Sequence, residues 1–414
     1  MKKNWKKVLL LLIISVLPAA CACSRESSRE HPVTAPTETA VPEATATPTA
    51  TPVPTQTLTP TPTPTPTPKP SVTLTRVGDI LLHDRIHEYC LQEDGGYNYD
   101  AIFANLTEQI SEADLALVNQ EVVLGGAELG ISGYPAFNAP QEAGDALVKA
   151  GFDVVLHATN HALDKRGAGV LNSIAFWEET YPEIGVLGIH QNAEDKEELY
   201  ITEAEGIRIA ILNYTYGTNG IPLPKDMPFA VDLLEEEKVI RDIARAKELA
   251  EVVIVCPHWG TEYRLTPDSS QKKWTELFLE QGVDVVIGTH PHVIQPVEWM
   301  EHEATGERML VFYSLGNFVN WTSGKGTGVA NRMVGAMANL TLERDESGEV
   351  YVAEYGVDAI VTHVENKTNG ITVYPLAAYT KELAEQNAIR HQDDNFSLEY
   401  CVDLCNDIFG ELWK

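Results

Sequence analysis

Short apolar runs that end in polar turns recur along this chain, and they constrain its fold more than any other feature. Such runs occupy residues 152–156, 252–255 and 283–287, and their length and composition are typical of buried strands. Amphipathic segments follow some of them, for example at residues 170–180 and 270–281. Alternation of buried strands with helices predicts a layered α/β fold built on parallel strands.

The turn after residues 283–287 has the most specific composition, because it carries His290 and His292 with Pro291 between them. The proline stiffens the backbone between the two imidazoles. The pair also lies where open α/β sheets place their ligand sites. Two imidazoles at this spacing can bind one metal ion through two nitrogens, or two adjacent ions through one nitrogen each. For this turn alone, a solvated loop that happens to hold two histidines is the alternative.

Other polar turns place metal-ligand chemistry after apolar runs in the same way. Their candidate residues are Asp79, Asn119, Glu121, Asn160, His161 and His258. Each has an ordinary alternative when taken alone, such as a helix N-cap for Asp79. Two further carboxylates, Asp164 and Glu262, are placed to orient a histidine. Because the strands end at one edge of a sheet, we expect these turns to converge on one site.

The donor types indicate which cation this site would bind. Imidazole nitrogens combined with carboxylate and amide oxygens suit Mn, Fe or Zn better than Ca, which prefers oxygen alone. We therefore expect one or two divalent transition-metal ions. Cys401 and Cys405 lie one helical turn apart. We expect them to pack in the core, because no second Cys or His pair follows to complete a zinc site.

The N-terminal part of the chain differs from the rest. A basic start precedes an apolar stretch at residues 8–17, which is short for a membrane span. Small residues then precede Cys21, as in a bacterial lipobox. We expect residues 1–20 to be a lipoprotein signal peptide and Cys21 to carry a lipid anchor on the outer face of the cytoplasmic membrane. Cys23 is a second candidate, and an ordinary secretory signal is the alternative.

Residues 21–70 are rich in Thr-Pro repeats and poor in apolar side chains. Such a segment cannot form a core, and proline at every second position favours an extended chain. We expect a disordered stalk. The net charge of −30 argues against nucleic acid as a partner, because phosphate backbones need a basic surface. A local metal site could still bind one anionic group.

Taken in order, the polar turns resemble those of the bacterial CapA family. The matching blocks are Gly78-Asp79, Asn119-x-Glu121, Asn160-His161 with Asp164, His258-Trp259-Gly260-x-Glu262, Gly288-x-His290-Pro291-His292 and Leu315-Gly316-Asn317-Phe318. The resemblance covers about residues 72–320. It implies a calcineurin-like metallophosphoesterase fold, a four-layer αββα sandwich, over residues 71–365. Residues 366–414 would then form a C-terminal helical segment packed on this domain.

The resemblance also implies roles for individual residues. His161 would be the general acid near the substrate, assisted by Asp164. The implied metal ligands are Asp79, Glu121, Asn160, His258, His290 and His292. Asn119, Glu262 and Asn317 are further site residues. This chain has Leu81 where the superfamily pattern has a histidine, and His83 is a candidate substitute.

CapA-type proteins are associated with capsule and poly-γ-glutamate synthesis or export. The resemblance therefore implies a cell-surface, metal-dependent, phosphoesterase-like hydrolase that acts on a surface polymer. Its substrate would be phosphorylated or a polyglutamate, and its partners could include a membrane synthase complex. The alternative is a non-catalytic assembly or polymer-binding factor that keeps the fold.

The lipobox interpretation can be tested by labelling cells with radioactive palmitate. Replacement of Cys21 by serine should abolish the label, because the modified thiol is lost. Cys23→Ser is the matched control and should keep the label. A labelled Cys21→Ser protein would place the anchor at Cys23 instead.

Overall fold

The computed structural model describes residues 70–365 and 370–413. The predictions about the signal peptide, Cys21, Cys23 and residues 21–69 of the stalk lie outside the described residues. Within these residues, two sheets contain fourteen strands. The strands are β1 Ser71–Leu81, β2 Leu115–Gln120, β3 Val154–Leu156, β4 Gly185–Leu187, β5 Tyr200–Ala204, β6 Ile207–Thr215, β7 Val252–His258, β8 Val285–Ile287, β9 Val297–Glu301, β10 Arg308–Phe312, β11 Asn317–Asn320, β12 Val334–Arg344, β13 Val350–Val364 and β14 Ile371–Pro375.

Ten α-helices connect or cover these strands in the described part of the chain. They are α1 Asp84–Cys90, α2 Asp100–Phe103, α3 Thr107–Ser111, α4 Glu142–Ala150, α5 Arg166–Thr180, α6 Ala193–Glu197, α7 Glu236–Leu249, α8 Ser269–Glu280, α9 Lys381–Gln386 and α10 Leu398–Phe409. No helix within residues 70–365 and 370–413 is long and apolar enough to cross a membrane.

In each sheet, parallel pairing brings the carboxyl ends of the strands that precede the polar turns to the same edge. The first sheet has the order β14-β13-β12-β1-β2-β3-β4, and β11 also pairs with β1. The second has the order β5-β6-β7-β8-β10-β9. Strands β1 to β4 run parallel, as do β6, β7, β8 and β10. The polar turns that follow these strands therefore lie at the carboxyl edges of the two sheets.

Alternate residues of the second sheet face different layers, as the period of two in a strand requires. Ile209 and Ile211 of β6 belong to the core that includes the first sheet. Ala210 and Leu212 belong to a second core with apolar residues of α7 and α8. Helices α2, α3 and α4 pack their apolar side chains into the core of the first sheet. The predicted four-layer αββα sandwich is confirmed.

Local structure departs from the sequence expectation at three places. The alternating residues 72–77 predict a first strand, but β1 continues through Asp79 to Leu81, so Asp79 lies within a strand and is not a helix N-cap. The amphipathic pattern of residues 99–111 predicts one helix, but two short helices form there, and the Asn105 amide between them donates to the Val373 carbonyl of β14 at 3.1 Å. Strand β14 itself lies in a segment expected to be helical, and its β-branched residues pair with β13.

Both Cys401 and Cys405 are buried on α10 as part of the apolar core. Burial raises the pKa of the Cys405 thiol to about 12, so this side chain stays neutral and packs as a small apolar group. The structure thus places these cysteines where the packing interpretation expects them.

Gly78 permits a close approach between two backbone segments in the first sheet. A Cβ atom at this position would overlap the carbonyl oxygen of Gly316. The same carbonyl accepts the backbone N–H of Asp79 at 3.0 Å. A side chain at position 78 would therefore push β1 away from the turn before β11.

We expect Gly78→Ala to lower the free energy of unfolding by about 1–3 kcal/mol, the usual cost of overpacking. Urea denaturation followed by tryptophan fluorescence measures this change. Gly217→Ala is the matched control, because a Cβ there would meet no atom within 4 Å. Equal midpoints for the two variants would show that the sheet tolerates a side chain at position 78.

Candidate metal centre

The carboxyl edges of the two sheets bring together side chains that lie far apart in sequence. The first sheet contributes residues at the ends of β1 and β2, and the second sheet contributes the last residue of β7 and the turn after β8. These buried residues are Asp79, Asn119, Glu121, His258, His290 and His292. The structure thus places the predicted donors from both sheets in one cluster.

Potential ligand atoms in this cluster form two overlapping groups. One group contains Glu121, His258 and His290, and the other contains Asp79, Glu121 and His292. Within each group the atoms lie within 4.8 Å of one another. Asn160 lies beside the first group, because its amide oxygen is 2.9 Å from Nε2 of His258. Since Glu121 belongs to both groups, it would be a shared ligand if each group held a cation.

Several buried polar atoms of the cluster lack a hydrogen-bond partner among the described residues. They are both carboxylate oxygens of Glu121, Nδ1 of His290 and Oδ1 of Asn119. Burial of an ionised carboxylate without a partner is costly, so such atoms need a cation or a proton. Carboxylate and imidazole together suit a divalent transition metal. The residues present therefore fit the divalent metal that the sequence predicts.

Burial sets the charge of most of these groups. It raises the pKa of Glu121 well above the usual range and lowers the pKa values of His258 and His290 well below theirs. Burial also disfavours the charged form of His292, but the carboxylates of Glu121 and Asp79 outweigh it and raise the His292 pKa to about 9. Neutral His258 and His290 can offer lone pairs, whereas a cation at His292 must displace a proton.

Asp79 connects β2 and the histidine turn through its two carboxylate oxygens. Oδ1 accepts from the amide of Asn119 at 2.8 Å, and Oδ2 accepts from the backbone N–H of His290 at 3.0 Å. The φ angles of His290 and His292 are 101° and 58°. Residues other than glycine adopt such positive values at a cost of about 1–3 kcal/mol each. Backbone strain at this turn thus accompanies the positioning of two imidazoles.

Hydrogen bonds behind the cluster orient two of its histidines. Nδ1 of His292 donates to Oδ1 of Asn317 over 3.0 Å, and Nδ1 of His258 lies 3.1 Å from the Thr289 hydroxyl oxygen. In both rings Nε2 then faces Glu121, at 3.7 Å from the same carboxylate oxygen. Partners of this kind fix the tautomer and the angle of a metal-binding imidazole.

His161 lies outside the two ligand groups and lines a cavity of about 320 Å³ beside them. Its Nδ1 is 2.7 Å from Oδ2 of Asp164, and the same oxygen accepts the backbone N–H of Phe137 at 2.7 Å. The Phe137 ring packs edge-on against the imidazole with centroids 4.6 Å apart. The structure therefore brings together the two residues that the resemblance assigns to catalysis.

Two predicted residues lie at the wall of this cavity rather than within a ligand group. Glu262 is exposed there. The His83 ring packs against Phe137 with centroids 5.1 Å apart, and burial lowers the pKa of His83 to about 4. Among the described residues, neither Glu262 nor His83 adds a ligand to the two groups. His83 therefore does not replace the histidine that the superfamily pattern has at position 81.

Sequence reasoning missed the contribution of the turn after β6. The Tyr216 ring lies 4.6 Å from the His290 ring, and Asn219 accepts a hydrogen bond from the Asn160 amide at 3.2 Å. The signal was available, because β6 is an apolar run that ends in a polar turn like the others. Arg332 also lines the cavity, but no periodic pattern marks it.

Comparison with protein families matches residues 73–322 to the bacterial capsule synthesis protein PGA_cap. The chain belongs to this family. Two curated relatives of this PGA_cap chain are CapA proteins from Bacillus species. The capsule biosynthesis protein CapA of Bacillus anthracis is 27% identical over 271 residues, which is 62% of each chain. The PGA biosynthesis protein CapA of Bacillus subtilis (strain 168) is 30% identical over 187 residues, 44% of this chain and 47% of that protein.

These matches confirm the resemblance to CapA, while the chain spans 62% and 47% of the lengths of those relatives. Among solved structures, a putative 5'-nucleotidase of Staphylococcus aureus in complex with alpha-ketoglutarate is 17% identical, with a TM-score of 0.43 over 69% of this chain and 54% of that one. The NAD nucleotidase of Haemophilus influenzae is 14% identical, with a TM-score of 0.43 over 83% of this chain and 64% of that one.

The shared position of Glu121 leads to a prediction about metal content in this PGA_cap-family chain. Glu121→Ala should remove metal from both groups, whereas His290→Ala should remove about half, because the group of Asp79, Glu121 and His292 survives. Inductively coupled plasma mass spectrometry of protein loaded with Mn, Fe or Zn gives the ratios. His391→Ala, at an exposed position, is the control. Wild-type protein that binds no metal would contradict the whole assignment.

Proposed function

We propose that this chain is a metal-dependent, phosphoesterase-like hydrolase that acts on a surface polymer during capsule or poly-γ-glutamate biosynthesis or export. The observation that carries the proposal is the pair of buried ligand groups that share Glu121 and lie beside an imidazole at a cavity wall. Membership of the PGA_cap family supports the pathway. The Bacillus relatives support it through their names as capsule and PGA biosynthesis proteins.

The two ligand groups assign the residues that would hold metal. Asp79, Glu121 and His292 would hold one ion, and Glu121, His258 and His290, assisted by Asn160, would hold a second. A divalent cation bound there supplies a water of lowered pKa and neutralises charge on an oxygen of the substrate. Mn, Fe and Zn are the candidates, because the donors combine nitrogen with oxygen.

The protein's own proton donor is His161. The hydrogen bond from Nδ1 to Asp164 leaves Nε2 as the ring atom that can give a proton to the leaving group. Asp164 stabilises the positive charge that the imidazole carries before this transfer, and the backbone N–H of Phe137 keeps the carboxylate in place. The Phe137 ring covers one side of the imidazole and reduces its contact with water.

The location of the reaction is part of the proposal. A lipid at Cys21 and an extended stalk would hold the domain at the outer face of the cytoplasmic membrane, near a membrane synthase complex and its growing polymer. The acidic chain, with a net charge of −30, would not bind an anionic polymer through bulk charge. Recognition would therefore depend on the local groups of the cavity.

The second candidate function is a polymer-binding assembly factor without turnover. Exposed aromatic rings at the site favour it, since Tyr134, Tyr216 and Tyr263 are 72%, 47% and 44% exposed. Large rings of this kind provide contact area for a ligand at low entropic cost. The two candidates differ in one measurement, which is turnover by metal-loaded protein.

The catalytic role of His161 predicts that His161→Ala keeps bound metal and loses turnover. Hydrolysis of a phosphodiester with an alkyl leaving group, which needs a proton to depart, should fall by about 10²–10⁴-fold in Mn-loaded protein, the usual contribution of a positioned acid. Asp164→Asn should also slow hydrolysis, and the control His391→Ala should not. An active His161→Ala enzyme would remove this residue from the mechanism. Inactive wild-type protein with full metal content would favour the assembly factor.

A further inference from the structure

Arg332 places a positive charge in the cavity beside the metal centre. It belongs to the short 3₁₀ segment Val329–Met333 and lines the same cavity as His161 and His292. It also lies beyond residue 322, where the match to the family ends. No part of the metal cluster or of the His161–Asp164 pair uses this side chain, so its role needs a separate explanation.

The guanidinium of Arg332 has no acidic partner within the described residues. It donates from one terminal nitrogen to the Thr322 hydroxyl at 3.3 Å, and its Nε is buried without any partner. The contrast with Arg344 is clear, because that guanidinium pairs with the carboxylate of Glu251. A buried Nε–H without an acceptor favours binding of an external anion.

Stacking fixes the plane of this guanidinium. Its central carbon lies 3.5 Å from the centre of the Tyr263 ring, which is a cation–π contact. A guanidinium stacked by its face keeps its N–H groups at the edge, where they can donate in pairs to a carboxylate or a phosphate. The hydroxyl-bearing residues Thr322 and Ser323 line the same cavity and offer further donors.

Hydrogen bonds tie the Arg332 segment to the metal centre and to the C-terminal helices. The amide of Asn317 donates to the backbone carbonyl of Arg332 at 3.0 Å, and the same side chain accepts from His292. The Asp393 carboxylate accepts the backbone N–H of Gly328 at 2.8 Å. Tyr400 of α10 donates to Asn331. The C-terminal segment thus positions an arginine beside the predicted site of reaction.

We propose that Arg332, with Thr322, forms an oxyanion subsite that binds a carboxylate or phosphate group of the substrate next to the bond that is cleaved. This rests on the proposed function and narrows it to substrates with an acidic group near the reacting bond. The carboxylate of Glu262 at the same wall repels additional negative charge. The subsite therefore recognises one oxyanion rather than a dense cluster of them.

Binding of three matched probes tests the subsite. Phenyl phosphate and phenylacetate share a ring and differ in the acid, and phenylacetamide is the uncharged analogue. Isothermal titration of the purified full chain should show that at least one acid binds and that the amide does not. Arg332→Met should weaken acid binding by about 10–100-fold, as expected for loss of a charge-assisted pair. Tighter binding of one acid identifies phosphate or carboxylate as the natural group.

Two variants control for loss of folding and for nonspecific charge. Arg332→Lys keeps the charge but not the paired donors, so its affinity should fall between wild type and Arg332→Met. Arg308 also stacks on an aromatic ring, at 4.3 Å from Trp299, but lies outside this cavity, so Arg308→Met should bind like wild type. Thermal unfolding checks that each variant is folded. Unchanged acid binding in a folded Arg332→Met protein would overturn the proposal.

Repetition of the titration after treatment with a chelator separates the subsite from the metal centre. The difference between wild type and Arg332→Met should persist without metal, because it depends on the guanidinium alone. If the wild-type protein no longer binds either acid once the metal has been removed, the subsite proposal is wrong. If the protein shows no hydrolysis but the Arg332-dependent binding remains, the proposed hydrolase fails and the subsite stands.

Discussion

The stability of the sandwich depends most on what neutralises the buried carboxylate of Glu121. This carboxylate is fully buried where the two sheets meet, and neither of its oxygens has a hydrogen-bond partner among the described residues. Removal of an ion from water is costly, and only a proton or a cation can compensate for it here. Glu121 follows a strand of the first sheet, while His258 and His290 belong to the second. A cation bound to all three would therefore join the two sheets, and its binding would stabilise the sandwich as well as prepare the site.

Topology explains why much of the site could be predicted from the sequence. Parallel strands end at the same edge of a sheet, so polar residues after separate apolar runs converge even when they lie far apart in the chain. This argument found Asp79, Glu121 and His258 together with the histidine turn. It could not show that Glu121 belongs to both ligand groups, because that depends on strand register. Strand β1 shifts its pairing between Arg76 and Asp79 and again between Asp79 and Ile80, and no local pattern encodes such shifts.

Other features could not be predicted because tertiary contacts override local preference. Asn105 interrupts a helical pattern to bond β14, and this strand adds an edge to the first sheet where helices were expected. Arg332 gives no signal of its own, since its position depends on Asp393 and Tyr400 in a distant part of the chain. The predicted ligands follow from where strands end. The residues that surround a substrate follow from how later segments fold back over that edge.

The charge of the whole chain is negative, whereas Arg332 places a positive charge at the cavity. This difference determines what the protein can recognise. The chain as a whole carries −30, which repels anionic polymers at long range. At physiological ionic strength that repulsion is screened beyond about 8 Å, whereas the partly buried Arg332 and a bound cation act at contact, where screening is weak. An anionic polymer would therefore gain little from general attraction and would bind only where one acidic group reaches the cavity. Such a surface selects for the geometry of a single group, as recognition of one bond in a repetitive polymer requires.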